Sequence, residues 1–157
     1  MYSFKNNFMK LAFQEAQKAF NDCEIPVGCI IVDYHNNNVI AAARNCMQKN
    51  KNPNAHAEIL AINLACSKLD NKNLSKCDIY TTLEPCTMCA AAISNARLRR
   101  LYYAAADKKG GAVENGVMFF NTPCCFHRPE VYPGILENQS LNIMYRFFKK
   151  MRKKENA

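Results

Sequence analysis

Residues 53–58 read Pro-Asn-Ala-His-Ala-Glu, and residues 82–89 read Thr-Leu-Glu-Pro-Cys-Thr-Met-Cys. These two fragments decide how the rest of the chain is read. Cys86 and Cys89 stand at i, i+3, so at a helix start they share one face. Pro85 suits a first helical turn. Asn54 is a cap for a helix expected from Ala55 to Lys68. Each fragment therefore belongs at a helix N-terminus, whose positive end stabilises thiolate and hydroxide. Thiolates suit Zn²⁺, and a neutral His56 imidazole completes a three-ligand set with Cys86 and Cys89. Three protein ligands leave a fourth position for water, whose pKa zinc can lower towards roughly 7. Glu58 is not needed as a ligand, which frees it to move a proton between water and a substrate.

Taken alone, Cys-x-x-Cys also fits a redox motif, a structural zinc site, or chance in a chain with nine cysteines. A redox motif belongs on a thioredoxin-like strand-helix unit, and nothing else in the chain supports one. The combination is more specific. His-x-Glu at one helix start, then a strand, then Pro-Cys-x-x-Cys at a second helix start is the pattern of zinc nucleobase deaminases.

Outward from these fragments, Phe8 to Phe20 carries apolar residues on one helical face, and Asn21-Asp22 can close that helix. Val27 to Asp33 is expected as a strand. Asn36, Asn37 and Asn38 make a turn, and Val39 to Ala43 pairs back as a hairpin arm. Arg44 to Pro53 is polar and expected as a loop. Ile79 to Thr82 is a short buried strand, followed by a helix from Pro85 to about Ala96 and a strand from Arg99 to Ala106. Gly110-Gly111 breaks the chain. Asn121 to Arg128 is irregular, Pro129 to Tyr132 is a further strand, and a last helix runs from about Ile135 into a basic tail. Strands alternating with helices indicate an α/β sandwich around a mixed sheet.

The chain has 157 residues and a formal net charge of +8. That length suits one domain over 1–157, ending in the basic helix from about 135. The charge favours a polyanionic partner, with RNA, DNA and membrane surfaces open on this ground alone. No apolar run approaches a membrane span. Met1 to Lys10 has no signal-peptide pattern. The cysteines then read as cytosolic thiols, which places the protein in the cytoplasm. Cys23, Cys29, Cys46, Cys66 and Cys77 read as packing residues.

At the two metal fragments the sequence resembles the cytidine/deoxycytidylate deaminase superfamily, and within it the bacterial tRNA-specific adenosine deaminases. The resemblance spans nearly the whole chain. It includes Glu24-Ile25-Pro26-Val27-Gly28, Asn45, Ala105-Ala106-Asp107, Gly110-Gly111-Ala112, Gly134-Ile135-Leu136 and Phe147 to Arg152. It implies a three-layer α/β/α cytidine-deaminase-like fold with a mixed central sheet of about five strands. It implies one Zn²⁺ per subunit on His56, Cys86 and Cys89, with Glu58 as the proton shuttle. Asn45 would hydrogen-bond the target nucleotide, Ile25, Val27 and Leu83 would wall the base, and Asp107 would contact a flanking nucleotide. The implied reaction is adenosine to inosine at the wobble position of a tRNA anticodon loop, by a homodimer. Departures from the family pattern are Ala91, Asn95-Ala96 and the vicinal Cys124-Cys125.

The tail fits an RNA partner. Phe147 and Phe148 interleave with Lys149, Lys150 and Arg152, and rings that stack on bases contribute about 1–3 kcal/mol each. Helical spacing also allows one of the two rings to be core. His127 and Arg128 are placed to grip phosphate or ribose. Two rivals share the metal motif: a deaminase of free guanine or cytidine, and a zinc-stabilised RNA-binding module without catalysis. The first has no need of the basic helix. The second has no use for Glu58.

Overall fold

The computed structural model describes residues 2–155. Helix α1 (Tyr2–Asn21) precedes a hairpin of β1 (Gly28–Asp33) and β2 (Val39–Arg44). The hairpin turn uses Asn37 at φ 58°, and the Asp33 and Asn36 side chains accept backbone N–H groups of His35 and Asn38. A single-turn helix α2 (Met47–Asn50) follows, inside the stretch expected as loop. Then come α3 (Ala57–Leu69), β3 (Cys77–Leu83), α4 (Thr87–Asn95), β4 (Arg100–Ala105), a 3-10 turn (Phe119–Asn121), β5 (Glu130–Tyr132) and α5 (Glu137–Glu155).

The five strands form one sheet in the order β2-β1-β3-β4-β5. β1 runs antiparallel to β2 and β3, while β3, β4 and β5 are mutually parallel, so the sheet is mixed as expected. Side chains alternate across each strand. Cys29 and Ile31 of β1 point to a core shared with Ala57, Ala61 and Ala65 of α3 and Ile93 of α4. Ile30 and Val32 point to the other face, against Met9 and Ala12 of α1. Helices α1 and α5 cover that second face, which completes three layers. Gly28 is required by the close approach of α1: a methyl there would stand 2.0 Å from the Ala12 carbonyl oxygen.

Tyr80, Tyr102 and Tyr132 are register partners across β3, β4 and β5. Their rings stack at centroid separations of 4.4 and 4.9 Å. Such cross-strand pairs stabilise a sheet beyond the area they bury.

Several boundaries differ from expectation. α3 begins two residues later than expected, with His56 rather than Asn54 at the cap. α4 is capped by Cys86, so Pro85 precedes the helix instead of opening it. α5 starts at Glu137, after Gly134 and Leu136 adopt φ 85° and 60°. In each case the chain turns one or two residues past the residue whose propensity signalled the turn. Among the described residues no helix is long and apolar enough to cross a membrane.

Candidate active site

The cap positions of α3 and α4 meet at one end of the sheet. His56 and Cys86 hold the two caps, and Cys89 is buried in the first turn of α4. His56 Nδ1 lies 3.6 Å from Cys86 Sγ and 3.5 Å from Cys89 Sγ. All three donor atoms fall within 4.8 Å of one another. A tetrahedral zinc ion, bonded to sulfur at about 2.3 Å and to nitrogen at about 2.05 Å, requires a sulfur–nitrogen edge of about 3.6 Å. Donor chemistry and spacing both fit that ion. Cys124, Cys125 and His127 form no second group of this kind among the described residues: Cys124 is exposed, and Cys125 Sγ donates to the His127 carbonyl at 3.0 Å.

Glu58 stands in the first turn of α3, only 4% exposed. Thr81 Oγ1 donates to one carboxylate oxygen at 3.2 Å, and Cys89 Sγ lies 3.5 Å from the other. Burial pushes the Glu58 carboxyl above the usual carboxylate range, which makes it a better proton acceptor than an exposed acid. The hydrogen bond to Cys86 raises His56. The hydrogen bond with Cys89 brings Cys86 down to about 4 and moves Cys89 upward.

A pocket of about 280 Å³ opens beside His56, Glu58 and Cys86. It is lined by all five residues expected to meet the substrate: Ile25, Val27, Asn45, Leu83 and Asp107. Val27 is buried and Ile25 stands at the mouth, 36% exposed. Asn45 is held from behind. Buried Glu24 accepts Asn45 Nδ2 at 3.1 Å and the Lys49 backbone N–H at 2.7 Å. A carboxylate can only accept, so this pairing fixes which end of the Asn45 amide faces Glu24.

The pocket also takes in residues that sequence reading missed: Met47, Glu84, Gly110 and Met144. Met47 and Met144 carry no chemical signal in the sequence. Glu84 did carry one, as an acid placed directly before Pro85-Cys86.

The residues expected to bind RNA do not form one surface. Phe148 lines the pocket and is 45% exposed. Phe147 is 4% exposed and packs edge-on against Phe20 at 6.1 Å, so its ring is core and is not available to stack on a base. Arg152 lines a groove of about 670 Å³ that shares Ile25, Asn45, Met47 and Phe148 with the pocket. Lys149 and Lys150 are turned elsewhere, around Phe20 with Arg146, Lys153 and Lys154. At 100° per residue, positions 146, 149, 150 and 153 fall on a different face of α5 from 144, 148, 151 and 152. Arg128 is exposed, whereas the half-buried His127 uses Nε2 on the Leu98 carbonyl at 2.7 Å.

A mixed sheet that presents His-x-Glu and Cys-x-x-Cys at two helix starts, with a base-sized pocket beside them, defines a nucleobase deaminase. The model of the MafB19-like deaminase family accordingly matches residues 4–152. A tRNA-specific adenosine deaminase of Rickettsia bellii is 51% identical over 92% of this chain and 99% of its own length, and one of Agrobacterium fabrum is 49% identical over 94% and 96%. A solved structure from work on A-to-I editing by tRNA:A34 deaminases at the wobble position of transfer RNA superposes with a TM-score of 0.85. It is 50% identical and covers 87% of this chain and 98% of that one. The chain belongs to the tRNA-specific adenosine deaminase family.

Proposed function

We propose that this protein hydrolyses adenosine to inosine at the wobble position of a tRNA anticodon, with one Zn²⁺ per chain on His56, Cys86 and Cys89. One observation carries the reading: a buried carboxylate, a three-donor metal group and a pocket of about 280 Å³ share one wall. That volume lies below the range of about 300–1,000 Å³ for drug-sized ligands, which suits a single extruded base.

When bound, zinc supplies the Lewis acidity that makes water a nucleophile at neutral pH. Glu58 takes one proton from water and delivers it to N1 of adenine as oxygen adds to C6. The second proton passes through the same carboxylate to the exocyclic amine. The C6–N6 bond breaks, ammonia leaves, and the C6 carbonyl of inosine remains. Thr81 keeps the carboxylate turned towards the pocket. Asn45, with Glu24 behind it, offers the nucleotide a fixed amide. Ile25, Val27 and Leu83 close on the base, and Asp107 meets a flanking nucleotide.

An anticodon loop suits this pocket because its bases are already partly unstacked, which keeps extrusion inexpensive. Phe148 and Arg152 border the pocket and serve the loop, with Arg128, Lys149 and Lys150 reaching backbone further away. The protein works as a homodimer of single-domain chains in the cytoplasm, where its cysteines stay reduced. The test is mass spectrometry of an anticodon stem-loop incubated with the zinc-loaded protein. Inosine at the wobble position is the expected product. Deamination of free guanine or cytidine in its place would overturn the reading.

A further inference from the structure

Glu84 follows the last residue of β3, immediately before Pro85-Cys86, and it is 2% exposed. Its Oε1 accepts three consecutive backbone N–H groups, from Val113 at 3.0 Å, Glu114 at 2.8 Å and Asn115 at 3.0 Å. Its Oε2 accepts the Asp107 N–H at 2.9 Å and Asn115 Nδ2 at 2.6 Å. Successive N–H groups that converge in this way form an anion-binding concavity. Here the chain fills that concavity with its own carboxylate.

The loop fits closely around this anchor. Ala112 N–H reaches the Pro85 carbonyl at 2.9 Å, and a methyl on Gly111 would come within 2.5 Å of the Glu84 carboxylate. Asp107 passes the constraint on. Its Oδ1 accepts the N–H groups of Lys109 at 3.0 Å and Gly110 at 2.9 Å. Asp107 and Gly110 both line the pocket. A continuous set of bonds thus runs from Glu84, two residues before Cys86, to Asp107 and Gly110 in the pocket lining.

We infer that Glu84 is a positioning residue, which locks the loop from Asp107 to Asn115 onto the metal motif and thereby sets the protein's preference for the nucleotide flanking the target base. The inference rests on the RNA reading above. A carboxylate is required because glutamine has one acceptor oxygen, and its amide would point donors at the Asp107 N–H or the Asn115 side chain.

The experiment uses the zinc-loaded protein on anticodon stem-loops that vary the nucleotide beside the target adenosine. Glu84→Gln is expected to raise KM by about 10- to 100-fold, because buried loop donors lose their acceptor. It should also flatten the flanking-base preference, with metal content unchanged and kcat within about threefold. Asn115→Ala removes one of the five bonds from a half-buried loop side chain and should raise KM by about two- to fivefold. It decides the matter if Glu84→Gln does not fold. A purely structural role lowers thermal stability and leaves both KM and base preference as in the wild type, and that result in either variant overturns the inference. Hydrogen exchange reads the anchor without RNA. The amides of residues 107 and 113–115 should exchange slowly in the wild type and faster in Glu84→Gln, and equal rates overturn the inference. A wild type that leaves every stem-loop undeaminated tells against the proposed function, and exchange then still decides whether Glu84 holds the loop.

Discussion

The two halves of the pocket are built on different principles. The metal half comes from two short segments, residues 56–58 and 86–89, each at the start of a helix. Within each segment the spacing is a property of one helical turn and is local, and the packing of α3 beside α4 brings the two together. The half proposed to meet the substrate comes from five places: Ile25 and Val27 before β1, Asn45 and Met47 after β2, Leu83 at the end of β3, Asp107 and Gly110 after β4, and Met144 and Phe148 on α5. None of these segments neighbours another in sequence. Two buried acids hold the half together, Glu24 behind Asn45 and Glu84 behind Asp107. The difference teaches that the chemistry of this site is written within single turns of chain, whereas its choice of substrate depends on the packing of the whole sheet.

Substitutions sharpen the contrast. The largest effect is expected in the metal half. Cys86→Ala removes one of three donors, so metal content measured by mass spectrometry should fall with turnover, and full metal occupancy in that variant would break the assignment. Next is Glu58→Gln, expected to cut kcat by about 10²–10⁴ with metal retained, the usual worth of a general acid–base group. The substrate half should respond in binding. Asn45→Ala is expected to lower kcat/KM by about tenfold or more, because the nucleotide loses its proposed amide partner and a buried polar group left unpaired costs about 1–3 kcal/mol.

The neighbouring rings of α5 give a sharper pair. Phe147→Ala should cost about 3–5 kcal/mol of stability, as a core aromatic does. Phe148→Ala should shift stability by no more than about 0.5 kcal/mol and weaken RNA binding instead. Equal melting temperatures for the two variants would contradict their placement. The smallest effect belongs to the cations around Phe20. Replacing Lys149 and Lys150 with glutamine is expected to flatten the salt dependence of RNA binding by about one to two phosphate contacts while kcat stays unchanged.

Much of this was legible in sequence because it depends on short-range periodicity. The apolar spacing of α1, the asparagine turn of the first hairpin and the two metal fragments all express the geometry of a few adjacent residues. What escaped has equally specific reasons. Helix α2 is a single turn, too short to show a period. His56 caps α3 in place of Asn54, although histidine is a poorer capping type, and Asn54 instead donates its N–H to the Asn52 side chain within the preceding turn. Phe147 and Phe148 cannot be told apart by composition, since only the position of α1 decides which ring meets Phe20.

The sequence by itself determined which residue types stand at each of two helix starts, His56 and Glu58 at one and Cys86 and Cys89 at the other, because each spacing lies within a single turn. The tertiary structure alone decided that Glu24 and Glu84 would be buried behind the pocket wall and that Met144 would reach the pocket from the last helix. Those outcomes depend on which strand lies beside which, and β3 pairs antiparallel with β1 but parallel with β4. Contacts between residues far apart in the chain arise only once the sheet has closed its core, and no periodicity within a single segment encodes them.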